Sequence, residues 1–349
     1  MLADLATRDG HRAVAFDLFG DLDLRRSAER VVTAARLSTL VDAAVHEPPS
    51  RVVYGASFEN HPALVARLAA RHRLLGNAPE TLRAVRNPAT LGAALRGFPY
   101  PRTAFTAPDE PARWLRKPLR GGGGTRVRAW RGGALRPGTY VQERIDGLPC
   151  SAAAVGDGTD AVVLGVTEQL VGRRTFGVRG YRWCGNLAPP RVQAGELLEQ
   201  ARAICSRLAG AFGLRGLFGV DFVWDGEHAW TVEVNPRPPA SLEAIEAAYG
   251  VRTFDAHLRG CAGELPRIDA VCSGAAGKAV LFATEAVSVG DSARWPVRDV
   301  PHPGERIAAG RPVCTVMATG ATPNDVLAEL EEQAARVRAD LRVEVAAGG

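Results

Sequence analysis

The chain has 349 residues, a formal net charge of +5 and 46% hydrophobic residues, which gives room for two or three compact units with large cores. It has no apolar run of about 18 residues to span a membrane, no signal peptide before its first helix-like segment, and no basic run dense enough for a nucleic-acid interface. Its six cysteines are scattered without a CxxC pair, so they read as thiols in a reducing cytosol, not as a disulfide frame or zinc site.

Residues 1–25 read as a helix (LADLATR) stopped by Gly10, then a strand (AVAFDLF). Residues 26–45 read as helix, 51–54 as a short strand and 61–72 as helix. This alternation points to an α/β unit with a parallel sheet. The leading helix normally follows a strand in such a unit, so a first strand is expected to be missing. Asn77 to Gly97 reads as a helix-rich connector, and Phe98-Pro-Tyr-Pro101 as an extended elbow.

Ala112 to Lys117 reads as a strand, Gly121-Gly122-Gly123-Gly124 as a loop without side chains, and Thr125 to Trp130 as a second strand. Such a loop can fold over a nucleotide and offer backbone N–H groups to phosphates. The alternative is a flexible surface linker. It is not a Walker A loop, because no Gly-Lys-Ser/Thr follows. Only Lys117 and Lys278 are lysines among 43 basic residues, so neither reads as surface filler. Lys117 is placed to neutralise a phosphate.

Thr139 to Gly147 and Ser151 to Val155 read as strands, Asp160 to Val171 as a strand pair, and Arg182 to Asn186 as a loop. Leu197 to Phe212 is an amphipathic helix. Asp221 to Trp224 and Trp230 to Val234 form a hairpin about Asp225-Gly226. If Trp224 pairs with Trp230, Asp221 lies opposite Glu233, with Asn235 further along that face. Two facing carboxylates need a cation between them, and hard oxygen donors suit Mg²⁺. Arg237, set between prolines, would then stabilise a transferring phosphoryl group. A wet edge hairpin is the alternative, since one register slip separates these side chains. Leu242 to Ala248 reads as a helix capped by Ser241, Lys278 to Ala283 as a strand, 301–316 as a meander and Asn324 to Leu341 as a helix capped by Asn324.

In order, Lys117-Pro-x₂-Gly₄, Val141-Gln142-Glu143-x-Ile145-x-Gly147 and Gly219-Val-Asp221-Phe…Glu233-Val-Asn235-Pro-Arg237-Pro resemble the ATP-grasp superfamily, over about residues 80 to 320. The resemblance implies a mixed α/β and α+β chain: an ATP-grasp fold behind a Rossmann-like N-terminal unit. The units expected are 1–78, 79–138 with the glycine loop, and 139–349 with the hairpin. It implies that Lys117 and Gly121, Gly122, Gly123 and Gly124 contact ATP phosphates. Gln142, Glu143 and Ile145 would meet adenine, partly through the backbone of Glu143 and Ile145. Asp221, Glu233 and Asn235 would bind Mg²⁺, or Mn²⁺ in its place, and Arg237 would stabilise an acyl-phosphate. Asp221 departs from the commoner Glu. The family's other phosphate-contacting cation has no lysine here, and Arg83 or Arg86 stands in.

The implied reaction is ATP-dependent joining of a carboxylate to an amine with release of ADP and phosphate, by a cytoplasmic enzyme that is a homodimer by analogy. Carboxylation, small-molecule phosphorylation and plain nucleotide binding stay open. Biotin carboxylases share the Glu-x-Asn-x-Arg core, but their catalytic glutamate is Ser241 here. GVTEQLVG and YRWCGNLAPP resemble carboligases allied to tyramine–glutamate ligase of methanofuran-type cofactor synthesis. Arg173-Arg174, residues 179–186, Arg237 and Ser241 are candidates for a substrate pocket. Its arginines suit an anionic substrate, unless they are ordinary solvated side chains.

Overall fold

The computed structural model describes residues 1–109, 113–192, 195–268 and 272–343. The chain starts with α1 (Leu2–Arg8), β1 (Val14–Asp17), α2 (Leu22–Ser27), β2 (Arg30–Thr33), α3 (Leu37–Val45), β3 (Arg51–Val52), α4 (Pro62–Ala69) and β4 (Arg73–Leu74). β1 pairs parallel with β2, and β3 pairs parallel with β4, as two separate sheets. The expected helix over 26–45 is thus broken by β2. Its Val31-Val32 pair is β-branched and gains a ladder only by meeting β1, which is invisible to local periodicity.

α5 (Pro79–Val85) and α6 (Pro88–Ala94) follow, each with proline in its first turn, where the missing N–H costs nothing. β5 (Thr103–Ala104), β6 (Trp114–Pro118), β7 (Arg128–Ala129) and β8 (Thr139–Glu143) make a small antiparallel sheet in the order β5-β8-β6-β7. Within the described residues the strand expected from Ala112 begins at Trp114; Ala112 itself lies outside them. The strand expected over Thr125 to Trp130 shrinks to β7.

β9 (Leu148–Asp157), β10 (Ala161–Val171), β11 (Trp183–Ala188), α7 (Gly195–Phe212), β12 (Arg215–Trp224) and β13 (Ala229–Asn235) follow. Then come α8 (Leu242–Tyr249), α9 (Thr253–Ala262), β14 (Ala275–Phe282), β15 (Val287–Ser288), β16 (Arg306–Ile307), β17 (Pro312–Gly320), α10 (Pro323–Ala339) and β18 (Arg342–Val343). A seven-stranded antiparallel sheet in the order β13-β12-β9-β10-β11-β14-β17 is the centre of the molecule, while β16-β15-β18 form a small separate sheet. α7 and α10 bury apolar stripes on the large sheet, with Leu197, Ile204 and Leu208 of α7 fully buried beside Phe218 and Phe222. Burying side chains of this size contributes about 1.5–3 kcal/mol each.

Four local expectations change here. Asp160 to Val171 is a single strand, since Gly165 is not a turn: a Cβ there would lie 2.8 Å from Tyr249. Arg182 to Asn186 is not a loop but leads into β11, between β10 and β14, where a Cβ on Gly185 would lie 2.1 Å from the Lys278 carbonyl. Glycine in both places permits close packing of a strand. α8 has no side-chain cap from Ser241. α10 is capped by Thr322, not Asn324, through a capping box with Asp325.

His257 of α9 fastens the N-terminal unit to the large sheet. Its Nδ1 accepts from the Leu217 N–H at 2.8 Å, and its Nε2–H donates to the Leu75 carbonyl at 3.3 Å. Burial holds its pKa down at about 4, so it is neutral at physiological pH.

Candidate active site

Asp221 of β12 does face Glu233 of β13, but not through the pairing of Trp224 with Trp230. Trp224 pairs with Ala229, and the register shifts between Asp221 and Phe222. Val232 is the extra residue of a β-bulge. Thr231 therefore turns into the core with Phe222, while Glu233, only two residues later, turns to the opposite face. Without the bulge Glu233 would point into the core.

The two carboxylates share a basic surround. Asn235 Nδ2 donates to Asp221 Oδ2 at 3.0 Å, and Gln169 Nε2 donates to Asp221 Oδ1 at 2.9 Å. Arg86 donates to Glu233 through a short hydrogen bond and to the Gly121 carbonyl at 2.7 Å. Lys117 Nζ donates to Gln142 Oε1 at 2.9 Å and to the carbonyl of the bulged Val232 at 3.0 Å. Arg237 donates to Asn235 Oδ1 at 3.3 Å and to Glu59 Oε1 at 3.2 Å. Burial and the facing Glu233 raise the Asp221 carboxyl to about 6. Burial pushes Glu233 the same way, but the Arg86, Lys117 and Arg237 charges outweigh it and hold Glu233 below its ordinary value. Burial lowers the Lys117 pKa against the pull of Glu233. One carboxylate is thus well neutralised and the other is short of positive charge.

The glycine loop lies over this cluster. Gly121 N–H donates to Asn60 Oδ1 at 3.0 Å, and the Trp183 N–H donates to the Gly123 carbonyl at 3.0 Å. Gly124 has φ +65°, and a Cβ on it would lie 1.8 Å from the Tyr181 carbonyl, so only glycine fits. Lys117, Gly121, Gly122, Gly124, Tyr140 and Glu233 line one small cavity.

Arg86 is the cation that reaches the cluster; Arg83 instead pairs with Glu80 at the surface. Gln142 is buried with its side chain committed to Lys117 and Thr103. The Glu143 carboxylate pairs with Arg102, and its N–H donates to the Arg102 carbonyl. The Glu143 N–H is therefore already used within the protein. Arg174 is exposed and Arg182 stacks on Phe282, so neither joins the hairpin cluster.

Residue-by-residue reading of the sequence missed Glu59 and Asn60, which enter from the N-terminal unit, and Ser151 and Gln169. Ladder pairs carry a polar row across one sheet face: Glu233 with Asp221, Asp221 with Ser151, Ser151 with Thr167, Gln169 with Asn186, and Asn186 with Lys278. The row ends where buried Lys278 pairs with Glu243 of α8. Several buried polar atoms here have no partner among the described residues: Glu59 Oε2, Arg86 Nε, Arg237 Nε and Ser241 Oγ. Such atoms, left dry, cost stability and mark where a polar ligand fits. No group of three His, Cys, Asp or Glu side chains gathers among the described residues. The donor set is two carboxylates and an amide, which fits a cation completing its shell from a phosphate substrate, as Mg²⁺ does.

Over 155 residues the chain is 29% identical to a formate-dependent phosphoribosylglycinamide formyltransferase of Burkholderia pseudomallei (strain 668); the match covers 43% of this chain and only 38% of that protein. The fold is similar to a biotin carboxylase–β,γ-ATP complex from Campylobacter jejuni, with a TM-score of 0.74 and 13% identity over 98% of this chain and 89% of that one. It is similar also to N5-carboxyaminoimidazole ribonucleotide synthetase from Thermotoga maritima, with a TM-score of 0.66 and 15% identity over 99% and 97% of the two chains. Residues 90–241 match the family model described as an ATP-grasp domain. That stretch holds the glycine loop, both carboxylates and Arg237, so the chain carries an ATP-grasp domain and is built on the ATP-grasp fold.

Proposed function

We propose that the protein is an ADP-forming ligase that uses ATP to join a carboxylate to an amine. The observation that carries this reading is the convergence of Lys117, Arg86 and Arg237 on the Asp221–Glu233 pair beneath a glycine loop. Lys117 and the loop amides hold the ATP phosphates, and the loop keeps water from the reacting atoms. Asp221, Glu233 and Asn235 would hold Mg²⁺, which supplies charge neutralisation at the phosphates. The substrate carboxylate forms an O–P bond to the γ-phosphorus as ADP leaves. Arg237 faces the resulting acyl-phosphate. The amine then forms a C–N bond, phosphate departs, and the amine gives up a proton. The N5-carboxyaminoimidazole ribonucleotide synthetase and formyltransferase relatives support ligase chemistry, and the latter's name includes a carboxylate, formate.

The acid is placed along the polar row from Ser151 to Lys278, which leads away from the carboxylate pair. GVTEQLVG and YRWCGNLAPP lie on the adjacent strands β10 and β11 and supply Thr167, Gln169 and Asn186 to that row. Their likeness to carboligases allied to tyramine–glutamate ligase makes glutamate and tyramine the first pair to try, and a place in cofactor synthesis follows if they react. ADP release is measured across amino acids and amines. Amide formation that needs both partners supports the reading. Turnover that needs bicarbonate but no amine makes the protein a carboxylase, and a stable phosphorylated product makes it a kinase. Glu233→Gln should lower ADP release by about 100-fold or more; unchanged turnover would remove the hairpin from the chemistry.

A further inference from the structure

We infer that Trp183 is a positioning residue that ties docking of the glycine loop to binding of the acid. Placement of the acid along the row from Ser151 to Lys278 comes from the ligase reading, on which this role rests. Two sets of contacts hold the loop. At Gly121 it is held from the phosphate side: Arg86 donates to its carbonyl at 2.7 Å, and its N–H donates to Asn60 at 3.0 Å. At Gly123 it is held from the acid's side, because the Gly123 carbonyl accepts from the Trp183 N–H at 3.0 Å. The Trp183 side chain then reaches into the row. Its indole Nε1–H donates to Asn186 Oδ1 at 3.1 Å, and Asn186 Nδ2 donates to Thr167 Oγ1 at 2.8 Å.

A bulge puts the indole there. β10 and β11 pair Leu170 with Gly185 but Val171 with Trp183, so Cys184 is an extra residue. Cys184 turns into the core beside Leu170, and Trp183 comes round to the face of Asn186. Without the bulge these two, three residues apart, would lie on opposite faces. The backbone around Trp183 is fixed from behind. Arg182 stacks on Phe282 at 4.0 Å and donates to the Gly310 carbonyl at 2.8 Å, while its own carbonyl accepts from the Gly172 N–H. The loop docks on this fixed segment, with Gly124 backed directly onto the Tyr181 carbonyl.

An indole N–H can only donate, so it fixes which end of the Asn186 amide is oxygen. The nitrogen is turned to Thr167, and one of its two N–H groups has no partner among the described residues. Gln169, the ladder neighbour of Asn186, likewise donates a single N–H, to Asp221. Lys278 has its charge met by Glu243. A carboxylate in this row is therefore held by amide N–H groups and not by a free cation. An anion on Asn186 favours the amide orientation that the indole also favours, so acid and docked loop strengthen each other. ATP is then best sealed from water when an acid is in place to take its phosphoryl group.

Tryptic cleavage at Arg120 and Arg126, the exposed arginines on either side of the loop, reads docking in the presence of Mg-AMP-PNP. Trp183→Phe keeps a ring but loses the N–H, and Asn186→Leu loses the acceptor. Each should speed cleavage about three- to tenfold, and the double variant should be no faster than either. Asn186→Asp keeps an acceptor for the indole and should retain the protection of the parent chain. With glutamate and tyramine, or the pair that ADP release selects, Trp183→Phe should also raise the acid KM about three- to tenfold and the ADP formed per amide. Effects that multiply in the double variant, or an unchanged acid KM, overturn the proposal. A lower melting temperature without faster cleavage at the loop overturns it too, by making Trp183 merely structural. If Mg-AMP-PNP gives the parent chain no protection, both readings fall. If no acid supports ADP release, the ligase reading fails, while cleavage, which needs only nucleotide, still decides the tie between the loop and Asn186.

Discussion

β9 and β1 are both rich in apolar residues, yet Cys150 to Gly156 of β9 are all buried while no residue of β1 is. β9 has β10 on one edge and β12 on the other, with helices over its faces; β1 has β2 alone. The contrast teaches that burial comes from neighbours on both edges and not from a strand's own composition. Two-stranded sheets are marginal by themselves, and the N-terminal unit holds two of them. It is nonetheless the region that sends Glu59 and Asn60 into the site.

The strongest way to break this comparison is mutation of matched aromatics. Phe218→Ala, in the central core, should cost about 3–5 kcal/mol in urea unfolding. Phe16→Ala in β1 should cost about 1 kcal/mol or less, because its ring is only half-buried. Equal losses would put the two regions on one footing. Next in size is the joint at His257. Its folded pKa of about 4 lies below its ordinary 6.5, so the stability it contributes is full above pH 6.5 and is lost as pH falls toward 4. The change is about 3 kcal/mol over that window. His257→Gln should flatten the difference in unfolding free energy between pH 7 and pH 4.5, and an unaltered slope would discharge His257 from the joint. The smallest expected effect concerns the loop side of the site. Lys117→Met should weaken Mg-nucleotide binding about tenfold, removing about 1.4 kcal/mol of ligand stabilisation seen as a smaller melting shift. Arg83→Ala, whose side chain stays at the surface, should leave that shift intact.

What could be read from the sequence was what is local. The glycine loop, the rare Lys117 and the alternation about Asp225-Gly226 are short-range signals, and they located three corners of the site. The facing of Asp221 and Glu233 was reached from a pairing that is one residue off, because nothing in Trp230-Thr-Val-Glu announces a bulge at Val232. Glu59 escaped because its partner Arg237 is 178 residues away. Arg86 could not be chosen over Arg83 from spacing alone: they are three apart, and the packing of α5 decides which turns inward. β11 was hidden by Gly185 and Asn186, residues that look like a turn until β10 and β14 are in place on either side.

The bulge at Val232 gives the hairpin two independent phases. Residues from the turn to Thr231 are counted from Asp225-Gly226, while Glu233 and Asn235 are counted from the sheet. The extra residue resets the parity between them and spends its carbonyl on Lys117. The turn can therefore vary in sequence without moving the carboxylate pair. Removing Val232 would keep Asp221, Glu233 and Asn235 and still send the site face into the core.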